Sequence, residues 1–476
     1  MKLYDLMKSL TQVDFEDCEV SCITDDSRNI KEGCVFVCVK GASFDGHSAA
    51  AKASEAKAAA IITQRDMGVE RQIIVEDTRK FYGMLCAAWF SHPEKKMKFV
   101  GVTGTNGKTT MTNVIKYILT QNGHKVGLIG TIRNEIGDDV IHTDNTTPMA
   151  FDYMQLLDRM YKAGCDTVVM EVSSFGLVQQ RIGPTHFDVA VFTNLTQDHL
   201  DYHKTMENYY QAKKMLFDIT DKAICNLDDE YGKRLYSEIT CEKYGFSCNK
   251  KADFYADVMK LRASQTTFWF CADNKCHNIS MNMIGMFNVE NVTAAIAACT
   301  LMDIPIENII PAIAKYNGVK GRCEIIPTGR DFTVICDYAH TPDAIENILS
   351  SVKEYCEGRL ICLFGCGGNR DSAKRPLMAQ AAAKFADVLM VTSDNPRNEE
   401  PDDIIRDIMQ GLTDCKKKIF VEPDRRQAIY DTLKMAQPSD IIVLAGKGHE
   451  DYQILKNNVH IHFDEREVVS DGLKLL

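Results

Sequence analysis

Long hydrophobic runs are absent from this sequence of 476 residues. No window approaches the roughly 20 consecutive apolar residues that a membrane-spanning helix needs. Residues 1–17 also lack the continuous apolar core of a secretory signal. Short internal repeats and low-complexity tracts are missing as well. We therefore expect a soluble protein of the cytoplasm that is not inserted into a membrane.

Positive charge is scarce, because 55 Lys and Arg residues stand against 66 Asp and Glu residues and the formal net charge is -11. This balance disfavours a nucleic-acid-binding protein that relies on bulk positive charge. The content of 45% hydrophobic and 25% charged residues is typical of a folded globular protein. At roughly 100–200 residues per domain, the length predicts about three domains.

The eighteen cysteines include no Cys-x-x-Cys pair. This absence removes the usual signature of zinc ribbons and of thioredoxin-like sites. Many of the cysteines lie inside apolar runs, such as 34–39 and 360–364. They are therefore interpreted as small buried hydrophobic residues, and we expect free thiols, as in a reducing compartment.

Apolar runs alternate with helical stretches in three successive units. The polar, proline-containing segment 91–98 predicts a linker after the first unit. A second unit begins with the apolar run 98–103, and a third begins after Gly321 and Arg322. In the third unit, apolar runs alternate with helices of about 10–14 residues, which predicts a doubly wound, mostly parallel sheet. These runs are 332–337, 359–364, 387–392, 418–421 and 440–444.

The strongest functional signal is the segment 100–110, Val-Gly-Val-Thr-Gly-Thr-Asn-Gly-Lys-Thr-Thr. A β run ends there in a glycine-rich turn, and a helix with apolar residues at helical spacing follows from Met111. Such a turn directs N–H groups and a helix N-terminus at a phosphate. Lys108 would reach the β and γ phosphates of ATP, and the Thr109 hydroxyl is placed to bind Mg²⁺. Because Val102 departs from the plain GxxxxGK[ST] pattern, a chance turn is the alternative.

Two candidate metal ligands follow predicted strands. Glu171 lies in the run 167–172, and His199 comes after the run 187–193. Ligands of open α/β sheets gather at the carboxyl ends of strands, where a carboxylate and an imidazole can hold Mg²⁺. On the residues alone, His199 is more often a structural histidine, and the lysines of segment 209–217 are solvated charges.

Three polar loops follow strands of the third unit, at 365–371, 393–401 and 446–452. Their charges suit an amino acid that carries an additional carboxylate and an additional amine. Arg370 and Arg397 could bind carboxylates in a bidentate manner, and Glu450 could pair with the distal ammonium. A dinucleotide-binding loop is the alternative for 365–371, but the GxGxxG form is missing.

The sequence resembles the Mur ligases in three segments. These are the Thr-Gly-Thr-Asn-Gly-Lys-Thr loop, the Met-Glu-Val-Ser-Ser segment at 170–174 and the Asp-Asn-Pro-Arg segment at 394–397. The Mur ligases are ATP-dependent enzymes that add amino acids to the peptidoglycan precursor. Segments 24–28 and 40–47 resemble the parts of the Mur ligases that hold the uridine nucleotide. The folylpolyglutamate synthases have a similar phosphate-binding loop but lack this uridine-binding domain. The resemblance covers essentially the whole chain. One departure is Phe175, which stands where the family commonly has His and puts a polar role at that position in doubt.

The resemblance implies an α/β protein of three domains. Residues 1–97 would bind the uridine nucleotide. Residues 98–322 would form a central P-loop ATPase-type domain with a mostly parallel sheet, and residues 323–476 a doubly wound, Rossmann-like domain for the amino acid. A monomer is expected.

The resemblance also assigns roles to individual residues. The catalytic residues would be Lys108, Glu171, His199 and Lys213. Mg²⁺ would be held by Thr109, Glu171, His199 and Lys213, the last as N6-carboxylysine. This modification is physically intelligible, because a bare ammonium would repel the cation and a carbamate would attract it. ATP would be bound by Gly104, Thr105, Asn106, Gly107, Lys108, Thr109, Thr110, Arg322, Asp337 and His340.

Two further sets belong to the other substrates. The uridine-linked substrate would be bound by Asp25, Ser27, Ala42, Ser43, Phe44, Asn145, Thr146, Thr147, Ser173, Gln179 and Arg181. On the residues alone, the Thr-Thr-Pro segment at 146–148 could equally be a helix N-cap. Diaminopimelate would be bound by Arg370, Asp394, Asn395, Pro396, Arg397, Gly446 and Glu450.

The implied activity is a ligation in cell-wall precursor synthesis. ATP would phosphorylate the D-glutamate of UDP-N-acetylmuramoyl-L-alanyl-D-glutamate, and meso-2,6-diaminopimelate would be added through the acyl phosphate. Asp-Asn-Pro-Arg is the form seen in members that add diaminopimelate, with the arginine facing the distal carboxylate. The near alternative is the same ligation with L-lysine or another diamino acid. The remote alternative is a non-catalytic, nucleotide-gated scaffold that kept the fold.

Overall fold

The computed structural model describes residues 1–11, 16–41, 44–137, 139–143, 145–261 and 265–476. The chain forms two compact units. The first comprises residues 1–104, 119–225 and 231–244, and the second comprises residues 105–118, 226–230 and 245–476. Among the residues that the structure describes, every helix is too short or too polar to cross a membrane.

The N-terminal part of the first unit is a four-stranded parallel sheet with three helices. Its strands pair in the order of the chain. Asp77 caps the third helix, since its side chain accepts hydrogen bonds from the N–H groups of Arg79 and Lys80. The elements are α1 (Leu3–Met7), β1 (Cys22–Thr24), β2 (Cys34–Val37), α2 (Ala50–Glu55), β3 (Ala60–Thr63), β4 (Gln72–Ile74) and α3 (Thr78–Trp89).

Within its described residues, the next stretch of chain contributes eleven strands and eight α-helices. Its elements are β5 (Lys98–Thr103), α4 (Lys108–Gln121), β6 (Val126–Ile129), β7 (Asn134–Ile136), β8 (Asp139–Ile141), α5 (Ala150–Lys162), β9 (Thr167–Glu171), α6 (Ser174–Val178), β10 (Phe187–Phe192), α7 (Leu200–His203), α8 (Met206–Lys214), β11 (Thr220–Asn226), α9 (Glu230–Glu238), β12 (Glu242–Ser247), β13 (Phe254–Leu261), β14 (Thr266–Ala272), β15 (Lys275–Met281), α10 (Met286–Leu301) and α11 (Ile306–Lys315).

In the first unit, β10, β5, β9 and β6 are neighbours in a parallel sheet. These strands are almost entirely buried, which is the pattern of a sheet covered on both faces. The register places Val102 opposite Glu171 and Thr103 opposite Phe192. The carboxyl ends of β5, β9 and β10 therefore lie side by side.

The C-terminal part of the second unit is a six-stranded sheet. Its order is β16-β17-β21-β18-β19-β20, and all pairs are parallel except β16 with β17. The elements are β16 (Glu324–Ile326), β17 (Thr333–Asp337), α12 (Pro342–Lys353), β18 (Leu360–Phe364), α13 (Lys374–Phe385), β19 (Val388–Val391), α14 (Pro401–Gln410), β20 (Lys418–Val421), α15 (Arg425–Met435), β21 (Ile441–Ala445), β22 (Tyr452–Leu455), β23 (Val459–His462) and α16 (Glu465–Lys474).

Helices cover both faces of this sheet, because alternate residues of one strand enter opposite cores. Cys362 and Phe364 pack in the core that contains residues of α12, α13 and α14. Ile361 and Leu363 pack in the core that contains residues of α15 and α16. The prediction of a doubly wound, mostly parallel sheet is confirmed, whereas the domain limits at 97 and 322 stay predictions.

One cysteine pair departs from the prediction of free thiols. Cys271 and Cys276 form a disulfide, while the other sixteen cysteines are free. The antiparallel register of β14 and β15 places these two residues opposite each other, across a two-residue turn in which Asp273 and Asn274 have positive φ. The prediction was wrong for this pair because it considered the burial of single cysteines and not the register of the hairpin.

A fully buried ion pair supports the strand ends of the second unit. Arg425 and Glu465 are 2.8 Å apart, and neither side chain is exposed. The Arg425 guanidinium also donates to the carbonyls of Ser393 and Ala445 at 3.1 and 2.8 Å. Ser393 follows β19 and Ala445 ends β21. One guanidinium thus connects α15 and α16 with the ends of two central strands.

We expect Arg425→Met to lower the free energy of unfolding by about 3–5 kcal/mol, because Glu465 would be left as an unpaired buried charge. Urea denaturation provides the measurement. The matched control is Arg406→Met, since the Arg406–Asp403 pair is mostly exposed and should contribute less than about 1 kcal/mol. Equal losses in the two variants would contradict the prediction.

Candidate functional site

The predicted phosphate-binding segment is a tight turn between β5 and α4. Gly104 and Gly107 both have positive φ, at 146° and 87°. Lys108 begins α4, and its Nζ donates to the carbonyl of Thr105 at 2.8 Å. A Cβ atom at position 107 would lie 2.3 Å from Oδ1 of Asn291 in α10. The turn is therefore closed against α10, and Asn291 is a neighbour that the sequence motif did not indicate.

The rest of the turn is held within the second unit. Thr109 and Thr110 are both 6% exposed. The side-chain amide of Asn106 donates to Oδ2 of Asp343 at 3.2 Å, and Asp343 lies in the first turn of α12.

Lys213 lies at the start of this turn, in the first unit. Its side chain is 1% exposed, and its Nζ donates to the carbonyl of Gly104 at 2.8 Å. The Tyr209 ring lies beneath the ammonium, 4.6 Å from its centroid. The interpretation of both lysines as solvated charges is wrong for Lys213, whereas the partly exposed Lys214 pairs with Glu238. The difference arises because only Lys213 is on the buried side of α8.

Glu171 is a buried carboxylate held by one threonine. Its Oε1 accepts from the N–H of Thr131 at 2.8 Å, and its Oε2 accepts from the Thr131 hydroxyl at 2.9 Å. The same hydroxyl lies 3.0 Å from that of Thr146. Thr131 follows β6, a strand next to β9. It was missed in the sequence because nothing there indicates which strand neighbours β9.

Several residues predicted for the uridine-linked substrate converge near Glu171. The Thr147 hydroxyl donates to the Glu171 carbonyl at 3.1 Å and accepts from the Ser173 N–H at 3.0 Å. The Arg181 guanidinium donates to the Thr147 carbonyl and to Oε1 of Gln179, both at 2.8 Å. The alternative helix-cap interpretation of 146–148 is wrong, because Met149 is the N-cap of α5 and makes no side-chain capping bond.

Asn145 and the N-terminal residues of this predicted set lie elsewhere in the first unit. Asn145 is exposed, and its carbonyl accepts from Thr143. Burial raises the pKa of Asp25, which is hydrogen-bonded to Tyr82. The Ser27 carbonyl accepts from Lys52, and half of the Phe44 side chain is exposed. Ala42 and Ser43 lie outside the described residues.

His199 lies at the edge of an aromatic group that is centred on Phe175. Its ring is 5.2 Å from that of Phe175, and its backbone has a positive φ of 54°. Phe175 also contacts Tyr202 and His203, with centroid distances of 4.4 and 5.5 Å. His203 is buried and lies 2.9 Å from the Ser174 hydroxyl. Phe175 therefore contributes aromatic packing, and the buried polar imidazole beside it comes from His203.

Asp337, Arg322 and His340 meet at the end of β17 in the second unit. The Asp337 carboxylate accepts from the N–H groups of Cys323 and Ala339, both at 2.7 Å. Burial raises its pKa, and Arg322 opposes this effect. The Arg322 guanidinium lies 4.8 Å from the Tyr338 ring centroid. Within the described part of the chain, its buried Nε has no hydrogen-bond partner.

His340 continues the same turn. Its Nδ1 lies 2.8 Å from the Tyr338 carbonyl, and its ring is 4.6 Å from the Tyr338 ring. Arg322, Asp337 and His340, three of the residues predicted to bind ATP, thus lie around Tyr338, and the Arg322 guanidinium has a donor that is not used by any described residue.

The loops after β18 and β19 hold the two predicted carboxylate-binding arginines near each other. A Cβ atom at Gly367 would lie 2.9 Å from Arg397 and 3.7 Å from Arg370. The Arg397 side chain donates to the Gly368 carbonyl at 3.0 Å. At Gly368 a Cβ would meet the Pro396 carbonyl at 1.9 Å. The glycines of 365–371 are therefore required by close packing against the Asp-Asn-Pro-Arg segment.

The remaining residues of this predicted set form a second cluster. The Asn395 amide donates to Oε2 of Glu450 at 3.0 Å. A Cβ at Gly446 would lie 3.7 Å from Asp394. Lys447 joins these groups, because its Nζ lies 2.9 Å from Glu450 and 3.1 Å from Asn395. Lys447 was not among the predicted residues, although it lies between two of them in the sequence.

Three family models match the chain: "Mur ligase family, catalytic domain" at residues 19–89, "Mur ligase middle domain" at 102–299 and "Mur ligase, glutamate ligase domain" at 321–448. A protein of Clostridium acetobutylicum named UDP-N-acetylmuramoyl-L-alanyl-D-glutamate--2,6-diaminopimelate ligase 1 is 43% identical over 96% of this chain and 95% of its own length. The ligase of the same name, without a number, from Clostridioides difficile is 41% identical over 99% of both chains.

A solved structure of a UDP-N-acetylmuramoyl-L-alanyl-D-glutamate--2,6-diaminopimelate ligase superimposes with a TM-score of 0.74. It is 30% identical, and the match covers 98% of both chains. The matches extend from the N-terminal sheet to the loop after β21, and the family expected from the motifs is confirmed: the chain belongs to the Mur ligases.

Proposed function

We propose that this Mur ligase adds meso-2,6-diaminopimelate to the D-glutamate of UDP-N-acetylmuramoyl-L-alanyl-D-glutamate, with ATP as the co-substrate. The observation that carries the proposal is the pair of clusters after β18, β19 and β21. Arg370 and Arg397 offer guanidinium groups to carboxylates, and Glu450 offers a carboxylate to an ammonium. The names of the relatives that match over nearly the whole chain support the same assignment.

The reaction requires two bond-forming steps. The γ-phosphoryl group of ATP is transferred to the D-glutamyl carboxylate, which gives an acyl phosphate and ADP. The amine of the diamino acid then attacks the acyl carbon, an amide forms and phosphate leaves. Lys108 and the N–H groups of the turn 104–110 would bind the phosphates. Arg322, with its unused Nε, would offset charge that develops during phosphoryl transfer.

Only part of the predicted ligand set suits a divalent cation. Glu171 and His199 supply a carboxylate and an imidazole, whereas Lys213 as an ammonium supplies no ligand. No group of three or more His, Cys, Asp or Glu side chains suited to a metal occurs in the described part of the chain. A carbamate on Lys213 would complete the donor set, so we propose that Glu171, His199 and carbamylated Lys213 hold Mg²⁺. A bound Mg²⁺ would neutralise phosphate charge.

Gly107→Ala should weaken ATP binding by at least about tenfold, equivalent to about 1.4 kcal/mol. The new Cβ would meet Asn291 at 2.3 Å, so the turn could not keep its shape. Titration calorimetry with ATP provides the measurement. Gly123→Ala is the matched control, because Gly123 has nearly the same φ of 88° but no atom within 4 Å of the added Cβ. Equal ATP affinities of the two variants would refute this role of the turn.

A phosphate-release assay with the uridine-linked dipeptide and a panel of diamino acids tests the proposed reaction. We expect kcat/KM for meso-diaminopimelate to exceed that for L-lysine by about 100-fold or more, because a guanidinium without its carboxylate partner is costly. Arg397→Ala should remove most of this preference. Arg330→Ala changes an exposed arginine and should leave it intact.

Two results of that assay would reject the assignment. A preference for lysine would favour the alternative diamino-acid ligation. ATP binding without phosphate release for any amino acid would favour a non-catalytic scaffold.

Lys213→Ala should lower turnover by at least about 100-fold if the side chain acts as a carbamate at the cation. Recovery of turnover on addition of formate or chloride would support the carbamate, since a small anion could replace its charge. Lys214→Ala is the neighbouring control and should keep near-normal turnover, because Lys214 pairs with Glu238 at the surface. Full activity of Lys213→Ala would rule out this role.

A further inference from the structure

A buried ammonium lies between the residues proposed to hold the diamino acid. The Lys447 side chain is 0% exposed. Its Nζ lies 2.9 Å from Oε2 of Glu450, 3.1 Å from Oδ1 of Asn395 and 3.5 Å from Oδ1 of Asp394. Burial of an ammonium is costly unless it is paired and hydrogen-bonded. Lys447 meets this condition entirely with groups of the proposed amino-acid site.

The contacts of Glu450 are divided unequally between its two oxygens. Oε2 accepts from both Lys447 and the Asn395 amide. Oε1 accepts no hydrogen bond from any residue described by the structure, and 13% of the side chain is exposed. One oxygen is therefore anchored, which fixes the orientation of the carboxylate and leaves the other oxygen to accept from a ligand.

The net charge of the cluster also favours a ligand that binds to Glu450. Two carboxylates, on Asp394 and Glu450, are paired with the single ammonium of Lys447. The cluster keeps one negative charge, which suits a ligand ammonium. Without Lys447, no cation would lie between the Asp394 and Glu450 carboxylates, and their mutual repulsion would disfavour this arrangement.

The residue before Asp394 is held by a second buried cation, Arg425. The guanidinium of Arg425 donates to the backbone carbonyls of Ser393 and Ala445, and its own charge is balanced by Glu465. Lys447 is therefore the cation that directly contacts Asp394 and Glu450 in the described cluster.

We propose that Lys447 is a positioning residue that sets the preference for an amino acid with a second amino group. It holds the Glu450 carboxylate in one orientation, and Glu450 binds the distal ammonium. This inference rests on the proposed function, because it takes Glu450 as the partner of that ammonium.

The test is steady-state kinetics of Lys447→Met with meso-diaminopimelate, ATP and the uridine-linked dipeptide. Loss of a charged hydrogen bond predicts a KM for diaminopimelate about 10–100-fold above that of the wild type. The KM for ATP should stay within about twofold, and kcat should change less than the KM for diaminopimelate. Lys456→Met is the matched control, since Lys456 forms an exposed ion pair with Glu400, and it should leave every constant unchanged.

Lys447→Gln provides a second variant if Lys447→Met does not fold, because the amide can still donate to Glu450 while the charge is removed. It should raise the KM for diaminopimelate in the same direction. An unchanged KM for diaminopimelate in a folded variant, or an equal rise in the KM for ATP, would overturn the proposal.

A double-mutant cycle with Glu450→Gln separates positioning from a purely structural role. If Lys447 acts through Glu450, the double variant should have nearly the same KM for diaminopimelate as Glu450→Gln alone. Additive increases would overturn the proposal. The wild-type assay keeps the two hypotheses distinct: a wild type that does not use diaminopimelate refutes the proposed function, whereas a wild type that does, with an unaffected Lys447 variant, refutes only the role of Lys447.

Discussion

The positions of the charged and polar functional side chains in this protein depend on the burial of its parallel strands. β5, β9 and β10 in the first unit, and β18, β19 and β21 in the second, are covered by apolar packing along nearly their full length. A strand that is buried on both faces has no position for a charged side chain except at its ends. Functional groups therefore collect where the strands finish, and the ladder register determines which of them become neighbours. Glu171 thus lies opposite Val102, near the end of β5, because β5 pairs with β9.

Several charges in the interior are compensated by identifiable partners. Arg425 and Glu465 neutralise each other, and the same guanidinium satisfies two strand-end carbonyls. Glu171 receives two hydrogen bonds from one threonine. Lys447 is paired with two carboxylates and an amide oxygen. Since an uncompensated buried charge costs several kcal/mol, these partners restrict each charged group to one orientation, which is what a binding site requires.

At Phe175 and at Gly368, packing against neighbouring residues explains which residue occupies the position. Phe175 has no polar atom in its side chain, yet it lies among His199, Tyr202 and His203 and is integral to that aromatic group. The glycines of the loop after β18 act differently, because a side chain at Gly368 would collide with the Pro396 carbonyl. In both places the geometry of the neighbouring loop, and not the chemistry of the single residue, explains the residue that is present.

Features that are local in the chain could be predicted from the sequence alone. The strand–turn–helix at 98–121, the alternation of strands and helices after residue 323 and the Asp-Asn-Pro-Arg segment were recognisable because each is a continuous stretch with its own spacing. The family followed from the same stretches. The contacts between distant stretches became visible only in the folded protein: Asn291 against Gly107, Thr131 on Glu171, the burial of Lys213 against Gly104 and the convergence of Asp394 and Glu450 on Lys447. The Cys271–Cys276 disulfide depended on hairpin register. Residue spacing carries no information about which strand ends become adjacent, and that adjacency is set by the order and register of the folded sheets.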